Sequence, residues 1–365
     1  MNILVACDSF KDALPAYAVC AAIARGLKQN HPKAMVTEMP LSDGGEGLLD
    51  VLGQALNLNW IDKTVSDPLG RPVSGRYGLS ADGNTAVVEM ARASGLQLLT
   101  LEERDPRKTS TFGTGELLAD AKVRGAVRAL LAIGGSATND AGIGAATALG
   151  WRFLDANGQD VPPDGGHMKD VSRLVPAPAP FEKVEVLCDV TNPLFGPKGA
   201  AWVYGRQKGG SDPVLAELDD GLKHIADVVR AQLGRDVAGI PGAGAAGGLG
   251  YGAVAFLGAE LRRGIEIVLD ITGFDAAAAK ADLIITGEGH LDGQSAQGKL
   301  IQGLCGRAGK TPVLALCGKL SATPEQIRMI GLKAAYSINR QERPLPEMLA
   351  NTSVNLEKTA AQLIV

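Results

Sequence analysis

The residues best suited to chemistry lie in short segments rich in Asp, Ser, Thr and Gly, each of which follows or contains an apolar run. Four of them are CDSFK (7–11), LSDGGEG (41–47), AIGGSATND (132–140) and CDVTNPLFGPKGA (188–200), and a fifth is LIITGEGHLDGQSAQGK (283–299). In open α/β sheets, ligands bind outside the carboxyl ends of the strands. If the apolar runs are strands, these five segments are predicted to line a binding site.

The first segment places a cation just beyond a strand. Lys11 at that position suits a phosphate or a carboxylate, and Asp8 and Ser9 could face the same cleft. Two structural interpretations stay open. Ser9 is also a good helix cap, and lysines are most often solvated surface residues.

The second segment combines paired glycines with carboxylates. Gly44 and Gly45 allow a ligand to approach the backbone closely. Asp43 and Glu46 offer the hard oxygen ligands that Mg²⁺ prefers. The alternative is that Asp43 caps the following helix and that Glu46 is a favourable anion in its first turn.

The third segment is typical of an anion cradle. Gly134, Gly135 and Ser136 would direct several backbone amides at one point near a helix N-terminus, which favours a carboxylate or a phosphate. Residues 138–140 add polar side chains. One of these three is expected only to cap the helix.

The fourth segment places a carboxylate beside two further polar residues at the end of a strand. Asp189 could hold a metal or accept a proton from a substrate hydroxyl, with Thr191 and Asn192 facing the same cleft. A structural role for Asp189 in stabilising the turn is the alternative.

The fifth segment brings two carboxylates, a histidine and a lysine together beyond a strand: Glu288, Asp292, His290 and Lys299. It nearly matches the P-loop pattern, but Leu300 stands where that pattern needs a magnesium-binding hydroxyl, so we reject a P-loop.

The run GAGAAGG (242–248) matches the dinucleotide fingerprint G-x-G-x-x-G. No convincing strand precedes that run, so it lacks the required context.

The elements that must position these segments alternate along the chain as short runs rich in Val, Ile and Leu and longer stretches of helical period. This alternation predicts an α/β fold with a parallel sheet between helices. Strands are expected at 2–6, 34–39, 60–65, 281–286, 312–318 and 333–338, and helices near 15–29, 45–56, 297–308, 323–331 and 345–363. Residues 1–65 and 276–365 are therefore predicted to form one doubly wound domain.

The middle of the chain, residues 66–275, has a different pattern. A hairpin is expected to turn at Asp82-Gly83, and strands are expected at 127–133 and 184–190. We interpret this region as a second α/β domain inserted into the first, with the active site in the cleft between the two domains.

Composition excludes several classes of protein. Of 365 residues, 45% are hydrophobic and 21% charged, so the chain is not intrinsically disordered. The net charge of −4 makes a nucleic acid an unexpected partner. Five widely spaced cysteines, scattered histidines and the lack of a long apolar run argue against structural zinc, a membrane span or export. A cytoplasmic location is the expectation.

Taken together, the residues favour phosphoryl transfer from a nucleotide. Glycine-rich anion cradles, several carboxylates, and Lys11, Lys208 and Lys299 near glycines supply positioning and charge neutralisation, which are the main requirements of that reaction. A small-molecule kinase is therefore the predicted function. Two other classes stay open: a non-catalytic sensor or carrier of a hydroxy acid, and an NAD-dependent dehydrogenase.

Eight motifs resemble, in order and spacing, the bacterial type I glycerate kinases between residue 3 and about residue 318. They are ACDSFKDAL, LSDGGEG, FGTGELL, IGGSATNDAG, DVTNPLFGPKGA, YGRQKGG, GAGAAGGLGYGAVAFLGAELRRGIEIVLD and ADLIITGEGHLDGQSAQGK. The resemblance implies a Rossmann-like domain that carries an inserted α/β domain. It also implies phosphorylation of D-glycerate by ATP with Mg²⁺, giving 2-phosphoglycerate or 3-phosphoglycerate, in glyoxylate or sugar-acid metabolism.

The resemblance leads to a set of expected roles. The expected catalytic residues are Lys11, Asp43, Asp189 and Asp292, with Asp189 preferred for orienting or deprotonating the acceptor hydroxyl. Magnesium is assigned to Asp43, Asp189 and Asp292. The nucleotide is assigned to Ser9, Gly44, Gly45, Gly287, Glu288, Gly289 and Lys299. Glycerate is assigned to Gly134, Gly135, Ser136, Thr138, Asn139, Thr191 and Asn192, although the 134–136 amides could instead hold a nucleotide phosphate.

One departure from the family pattern bears on nucleotide binding. His290 stands where an arginine is common, so a permanent positive charge near the expected phosphate site is lost. A related small hydroxy acid is therefore an alternative substrate. The expected partners are ATP and the acid alone, with the protein acting as a monomer or a homodimer.

Overall fold

The computed structural model describes residues 1–43, 47–292, 300–339, 341 and 343–363. Its contacts divide the chain into two compact units. Unit 1 comprises Met1–Ala55 and Arg263–Val365, and unit 2 comprises Leu56–Arg262. Unit 1 is therefore discontinuous in sequence, and unit 2 lies within it along the chain.

Unit 1 contains a five-stranded parallel sheet. Its strands are β1 (Asn2–Val5), β2 (Met35–Glu38), β11 (Leu283–Leu291), β12 (Val313–Leu320) and β13 (Ala334–Ser337). The order across the sheet is β2-β1-β11-β12-β13. Within this unit that is the order 2-1-3-4-5 of a doubly wound sheet, which reverses between β1 and β11.

Helices cover both faces of this sheet. They are α1 (Ala16–Asn30), α2 (Leu48–Ala55), α9 (Gly264–Thr272), α10 (Phe274–Ala278), α11 (Leu300–Arg307), α12 (Pro324–Ile330), α13 (Leu345–Ala350) and α14 (Thr352–Ala361). Ile3 and Leu4 point to opposite faces of β1, and both are 1% exposed. A sheet that is buried on both faces needs helices on each side, as the near-continuous apolar strands predicted.

Unit 2 contains a six-stranded mixed sheet in the order β10-β9-β6-β5-β4-β3. The strands are β3 (Asn59–Ser66), β4 (Pro72–Leu79), β5 (Thr85–Glu89), β6 (Arg128–Ala132), β9 (Lys183–Leu187) and β10 (Glu260–Arg262). Strands β5, β6, β9 and β10 are parallel, and the predicted hairpin at Asp82-Gly83 joins the antiparallel pair β4 and β5. A small second sheet pairs β7 (Arg152–Leu154) with β8 (Arg173–Val175).

The helices of unit 2 enclose its larger hydrophobic core. They are α3 (Ala91–Ser94), α4 (Phe112–Val123), α5 (Ile143–Ala148), α6 (Ala200–Tyr204), α7 (Asp212–Leu233) and α8 (Ala245–Leu257), with 3₁₀ turns at Leu96–Leu98, Gly165–Asp170 and Arg206–Lys208. Trp151, Phe153, Tyr251 and Phe256 form an aromatic cluster in this core. No helix in the described part of the chain is long and apolar enough to cross a membrane.

The structure corrects the predicted domain boundaries. The strand expected at 60–65 in the first domain is β3, and it pairs antiparallel with β4 of unit 2 from Asn59↔Leu79 to Ser66↔Pro72. At the other crossing, α9 belongs to unit 1, although the sequence assigned residues up to 275 to the inserted domain. Patterns within a segment gave the strand and the helix, but the partners with which an element pairs or packs decide which unit it joins.

Candidate functional site

The first candidate region lies at the carboxyl edge of the unit 1 sheet, where the strand order reverses. After β1 the chain continues along β11, with the amide of Ala6 donating to Ile285 O at 2.8 Å and the amide of Asp8 to Gly287 O at 3.1 Å. Doubly wound sheets bind ligands at this switch point. The segment CDSFK therefore lies where the sequence predicted a binding loop.

Three carboxylates act on one another at this edge. Burial is the main reason that the pKa of Asp8 rises to about 7, and the negative charges of Asp43 and Glu288 raise it further. The amide of Ser9, which donates to Asp8 Oδ1 at 2.7 Å, opposes this shift. Negative charges that raise the pKa of Asp8 are relieved by a cation, so the region is suited to a metal ion. Asp8 was predicted to face this cleft but was assigned neither to magnesium nor to catalysis.

The strand β11 is longer than predicted, which changes the setting of three expected nucleotide ligands. Gly287, Glu288 and Gly289 lie within the strand and not beyond it, because β11 pairs with β12 as far as Leu291↔Leu320. Glycine permits this extension: a Cβ at Gly287 would lie 2.4 Å from Leu316 O. The backbone of Lys11 passes close to Gly289: the amide nitrogen of Lys11 lies 3.7 Å from the position that a Cβ at Gly289 would take.

A pocket of about 280 Å³ opens beside this edge. Ser9 and Lys11 line it together with apolar groups such as Leu14, Tyr17 and Val51. The side chain of Lys11 is exposed at the pocket, as a charge-neutralising residue requires. Its proposed contact with a phosphate stays a prediction.

Gly44, Gly45, Glu46 and Lys299 lie outside the described residues. Asp292 is described, and its Oδ2 lies 4.0 Å from His290 Nδ1, while His290 Nε2 lies 2.9 Å from Ser321 Oγ. His290 is thus directed toward the same edge of the sheet as Asp292.

The second candidate region lies at the carboxyl edge of the unit 2 sheet. Strands β6 and β9 are adjacent and parallel, with Ala132 paired to Leu187 at their ends. The loops that follow them, residues 133–142 and 188–199, therefore leave the sheet side by side. This places the third and fourth predicted segments at one edge.

The 134–142 loop presents open backbone next to buried polar side chains. Gly134 and Gly135 are exposed, and within the described part of the chain their amides donate to no backbone carbonyl. Ser136 is 8% exposed, whereas Thr138 and Asn139 are fully buried. Thr138 Oγ1 and both polar atoms of the Asn139 amide make no hydrogen bond to any described residue. The loop retains unused capacity for hydrogen bonds.

Asp140 is the structural member of this loop. Its carboxylate accepts hydrogen bonds from the amide and hydroxyl of Thr111, each at 2.7 Å, and from the amides of Gly142 and Gly144 at 3.0 and 3.3 Å. Burial nevertheless raises its pKa above the usual range. Asp140 holds the turn before α5, but the expected side-chain cap is absent, since the helix is capped at Gly142 without a side-chain hydrogen bond. The amides of Gly142 and Gly144 at the start of α5 are occupied by Asp140.

The run GAGAAGG supports this loop and does not form a dinucleotide fingerprint. Gly247 has φ +67°, and a Cβ there would lie 2.0 Å from Thr138 O. The amide of Ala141 donates to Gly247 O at 3.1 Å. The glycines are thus needed for close backbone packing against the 134–142 loop, a long-range contact that no local pattern reveals.

The 188–199 loop holds the expected base. Asp189 and Thr191 are exposed directly after β9. The side chain of Asn192 is engaged within the protein, since its Nδ2 donates to Lys198 O at 2.8 Å and its Oδ1 accepts from Tyr204 at 2.7 Å. The structure gives Asn192 a role in shaping this loop, and its expected contact with glycerate stays a prediction.

The carboxylates of unit 1 are suited to magnesium that is bound together with a nucleotide, and less suited to a metal ion held by protein side chains alone. Among the residues the structure describes, no three His, Cys, Asp or Glu side chains are arranged to hold a metal ion. Magnesium that accompanies a nucleotide typically takes one or two carboxylates and completes its shell with phosphate oxygens and water. Asp8 and Asp43 can supply such carboxylates. Of the expected ligands, Asp43 and Asp292 belong to unit 1 and Asp189 to unit 2, and their joint binding of magnesium stays a prediction.

Comparisons with known proteins agree with the motifs. The model of the glycerate kinase family matches residues 3–365. A glycerate kinase of Bacillus cereus is 43% identical over all of this chain and 97% of its own length. A glycerate 2-kinase of Escherichia coli K12 is 42% identical over 93% of this chain and 90% of its own.

A solved structure is similar in fold as well as in sequence. The crystal structure of a protein described as glycerate kinase 2, from Salmonella typhimurium LT2, superimposes with a TM-score of 0.88. It is 40% identical and covers 99% of this chain and 96% of that protein. The predicted α/β fold and the predicted family are both confirmed, and this chain belongs to the glycerate kinase family.

Proposed function

We propose that this protein transfers the terminal phosphoryl group of ATP to the 2-hydroxyl of D-glycerate, forming 2-phosphoglycerate and ADP. The observation that carries the proposal is identity above 40%, spread over nearly the whole chain, to proteins named glycerate kinase and glycerate 2-kinase. The polar edges of both units supply groups that the reaction needs.

Unit 1 is proposed to receive the metal–nucleotide complex. Magnesium, when bound, neutralises charge on the phosphates. Asp8 and Asp43 would hold it. Asp292, directly after β11, is a further candidate ligand. Lys11 would neutralise charge on the transferred group, because an exposed ammonium at a strand end can follow a phosphate.

Unit 2 is proposed to bind the acid. The open amides of Gly134 and Gly135, with Ser136, would accept the carboxylate of glycerate. Asp189 would take the proton of the acceptor hydroxyl. In the transfer, a bond forms between that hydroxyl oxygen and the γ-phosphorus while the bond from the γ-phosphorus to the β,γ-bridging oxygen breaks, and ADP leaves.

The test is to incubate the purified protein with ATP, MgCl₂ and D-glycerate, and to follow ADP release and the phosphorus NMR spectrum of the product. We expect stoichiometric ADP and the resonance of 2-phosphoglycerate. The resonance of 3-phosphoglycerate would show that the phosphoryl group is transferred to the 3-hydroxyl and would contradict that part of the proposal. Binding of glycerate without any ADP would favour a non-catalytic carrier and contradict the proposal.

Two simpler acids sharpen the choice of hydroxyl. Glycolate carries only a hydroxyl next to the carboxylate, whereas 3-hydroxypropanoate carries only the terminal one. A 2-kinase is expected to phosphorylate glycolate slowly and to leave 3-hydroxypropanoate unchanged. The reverse preference would contradict transfer to the 2-hydroxyl.

A further inference from the structure

Lys208 is a buried lysine that the sequence grouped with Lys11 and Lys299 but to which no ligand was assigned. It ends the 3₁₀ turn Arg206–Lys208 within the motif YGRQKGG and is 2% exposed. Its Nζ donates to Ser136 Oγ at 2.8 Å and to Thr138 O at 2.6 Å. A side chain 72 positions away in sequence from Ser136 thus fixes two points of the 134–142 loop.

Burying this ammonium is costly for the fold. Removal from water is the main reason that the pKa of Lys208 falls to about 7, and the negative charge of Asp140 only partly offsets this effect. Asp140 is already engaged by Thr111, Gly142 and Gly144. Because replacing a buried charge by an apolar residue of similar volume is often neutral or stabilising, the presence of an ammonium bound to Ser136 and Thr138 points to a role in binding.

The groups around Lys208 point to the class of ligand. Ser136 Oγ and Thr138 O are bound to the ammonium, the neighbouring Gly134 and Gly135 are exposed, and the polar atoms of the Asn139 side chain have no partner among the described residues. A positive charge bound to the same loop as the exposed glycines suits a small anion with hydroxyl groups, such as a hydroxy carboxylate.

We propose that Lys208 is the positioning residue of the acid-binding loop: through Ser136 and Thr138 it fixes the 134–142 loop in the form that binds the substrate carboxylate. This inference rests on the proposed function, since it concerns the same site. Lys208 acts through the loop, and its charge adds to the attraction for the anion.

The test compares Lys208→Met, which keeps the length of the side chain and removes its charge, with Lys122→Met at an exposed position on α4. We expect the KM for D-glycerate to rise at least about tenfold in Lys208→Met, while kcat and the KM for ATP change less than about threefold. Lys122→Met should match the wild type. An unchanged KM for glycerate in Lys208→Met, or a loss of kcat alone, would overturn the inference.

A second variant guards against a failure to fold. Ser136→Ala removes one acceptor of Lys208 but leaves its hydrogen bond to Thr138 O, and we expect it to raise the KM for glycerate about threefold. In the Lys208→Met background the same substitution should raise the KM by less than it does in the wild type, because the part of its effect that depends on Lys208 is already lost. Additive effects would show that Lys208 does not act through Ser136.

Calorimetric titration of D-glycerate without ATP separates this inference from the proposed function. If the wild type binds glycerate but releases no ADP, and Ser136→Ala or Lys208→Met binds it more weakly, the kinase proposal fails and the role of Lys208 stands. If the wild type phosphorylates glycerate and both variants bind it as tightly, the role of Lys208 alone fails. A wild type that neither binds nor phosphorylates glycerate overturns both.

Discussion

The carboxyl edges of the two sheets carry opposite kinds of electrostatic groups. In unit 1, burial and, to a smaller extent, the negative charges of Asp43 and Glu288 raise the pKa of Asp8 to about 7. In unit 2, the loop after β6 has exposed glycine amides above the buried ammonium of Lys208. The first edge is suited to cations and the second to anions. The carboxyl ends of parallel strands in the two sheets thus carry groups of different electrostatic character.

This difference shows how a kinase can divide its work. Phosphoryl transfer needs a cation to offset the charge of the phosphates and a separate site to hold the acceptor. The two needs conflict electrostatically, since carboxylates that bind magnesium would repel an acid substrate. Supplying them from different sheets avoids that conflict.

The largest effect is expected from Gly247→Ala, which tests whether the unit 2 edge depends on close packing. A Cβ at this position would lie 2.0 Å from Thr138 O. We expect a loss of about 3 kcal/mol or more in the free energy of unfolding, measured by denaturant titration, because both backbones must move apart.

Gly234→Ala is the matched control for that substitution. Gly234 has φ +66°, nearly the value of Gly247, but nothing lies within 4 Å of its Cβ position. The strain of the left-handed backbone should cost about 1 kcal/mol there. Equal losses in the two variants would mean that the contact with the 134–142 loop is unimportant.

The next largest effect is expected from Asp189→Asn, which tests whether unit 2 supplies the proton acceptor. Loss of a general base should lower kcat roughly 10²-fold or more while the thermal unfolding midpoint stays unchanged. Asp170→Asn, at another exposed position of unit 2, should leave kcat at the wild-type value. A kcat that survives Asp189→Asn would remove this residue from the mechanism.

Asp8→Asn tests the acidic edge of unit 1 through the pH dependence of stability. Below about pH 4 the carboxyl is protonated in both states, so its raised pKa has no cost. As the pH rises toward 7 the unfolded chain releases the proton and the folded protein retains it, so stability falls. We expect Asp8→Asn to be more stable than the wild type at pH 8 by about 2 kcal/mol, roughly half of the full linkage because the amide is still buried.

Magnesium provides the control for Asp8. Adding MgCl₂ at pH 8 should stabilise the wild type and reduce its difference from Asp8→Asn, since a cation bound to the folded state offsets the repulsion. The free energy of unfolding should be measured in denaturant with and without the salt. Parallel pH curves for the two proteins would contradict the assignment of the raised pKa to Asp8.

The smallest effect is expected from His290→Arg, which adds a permanent cation to the unit 1 edge. The side chain is 45% exposed, so the new charge is screened and should lower the KM for ATP only about two- to threefold. His167→Arg is the control, because that histidine of unit 2 is 47% exposed. A similar decrease in both variants would show a general effect of charge.

Local sequence patterns predicted the positions of the strands better than they predicted which strands pair with each other. The strand after Asn59 and the hairpin at Asp82-Gly83 are where the alternation of apolar residues predicts them. The assignment of β3 to the first domain was wrong, because β3 pairs with β4, the next strand along the chain, in the sheet of unit 2. The length of β11 was also underestimated. The glycines at 287 and 289 are typical of a loop, and only the pairing with β12 makes this segment part of the strand.

The sequence alone determined the fold class, the family and which segments stand at strand ends, because each of these follows from periodicity and from the order of motifs along the chain. Only the tertiary structure decided that Asp8 is part of the acidic edge, that GAGAAGG packs against the 134–142 loop, and that Lys208 reaches Ser136. These three features depend on burial and on contacts between distant segments. A carboxylate or an ammonium changes its properties when other groups replace the water around it, and the sequence does not say which groups those will be.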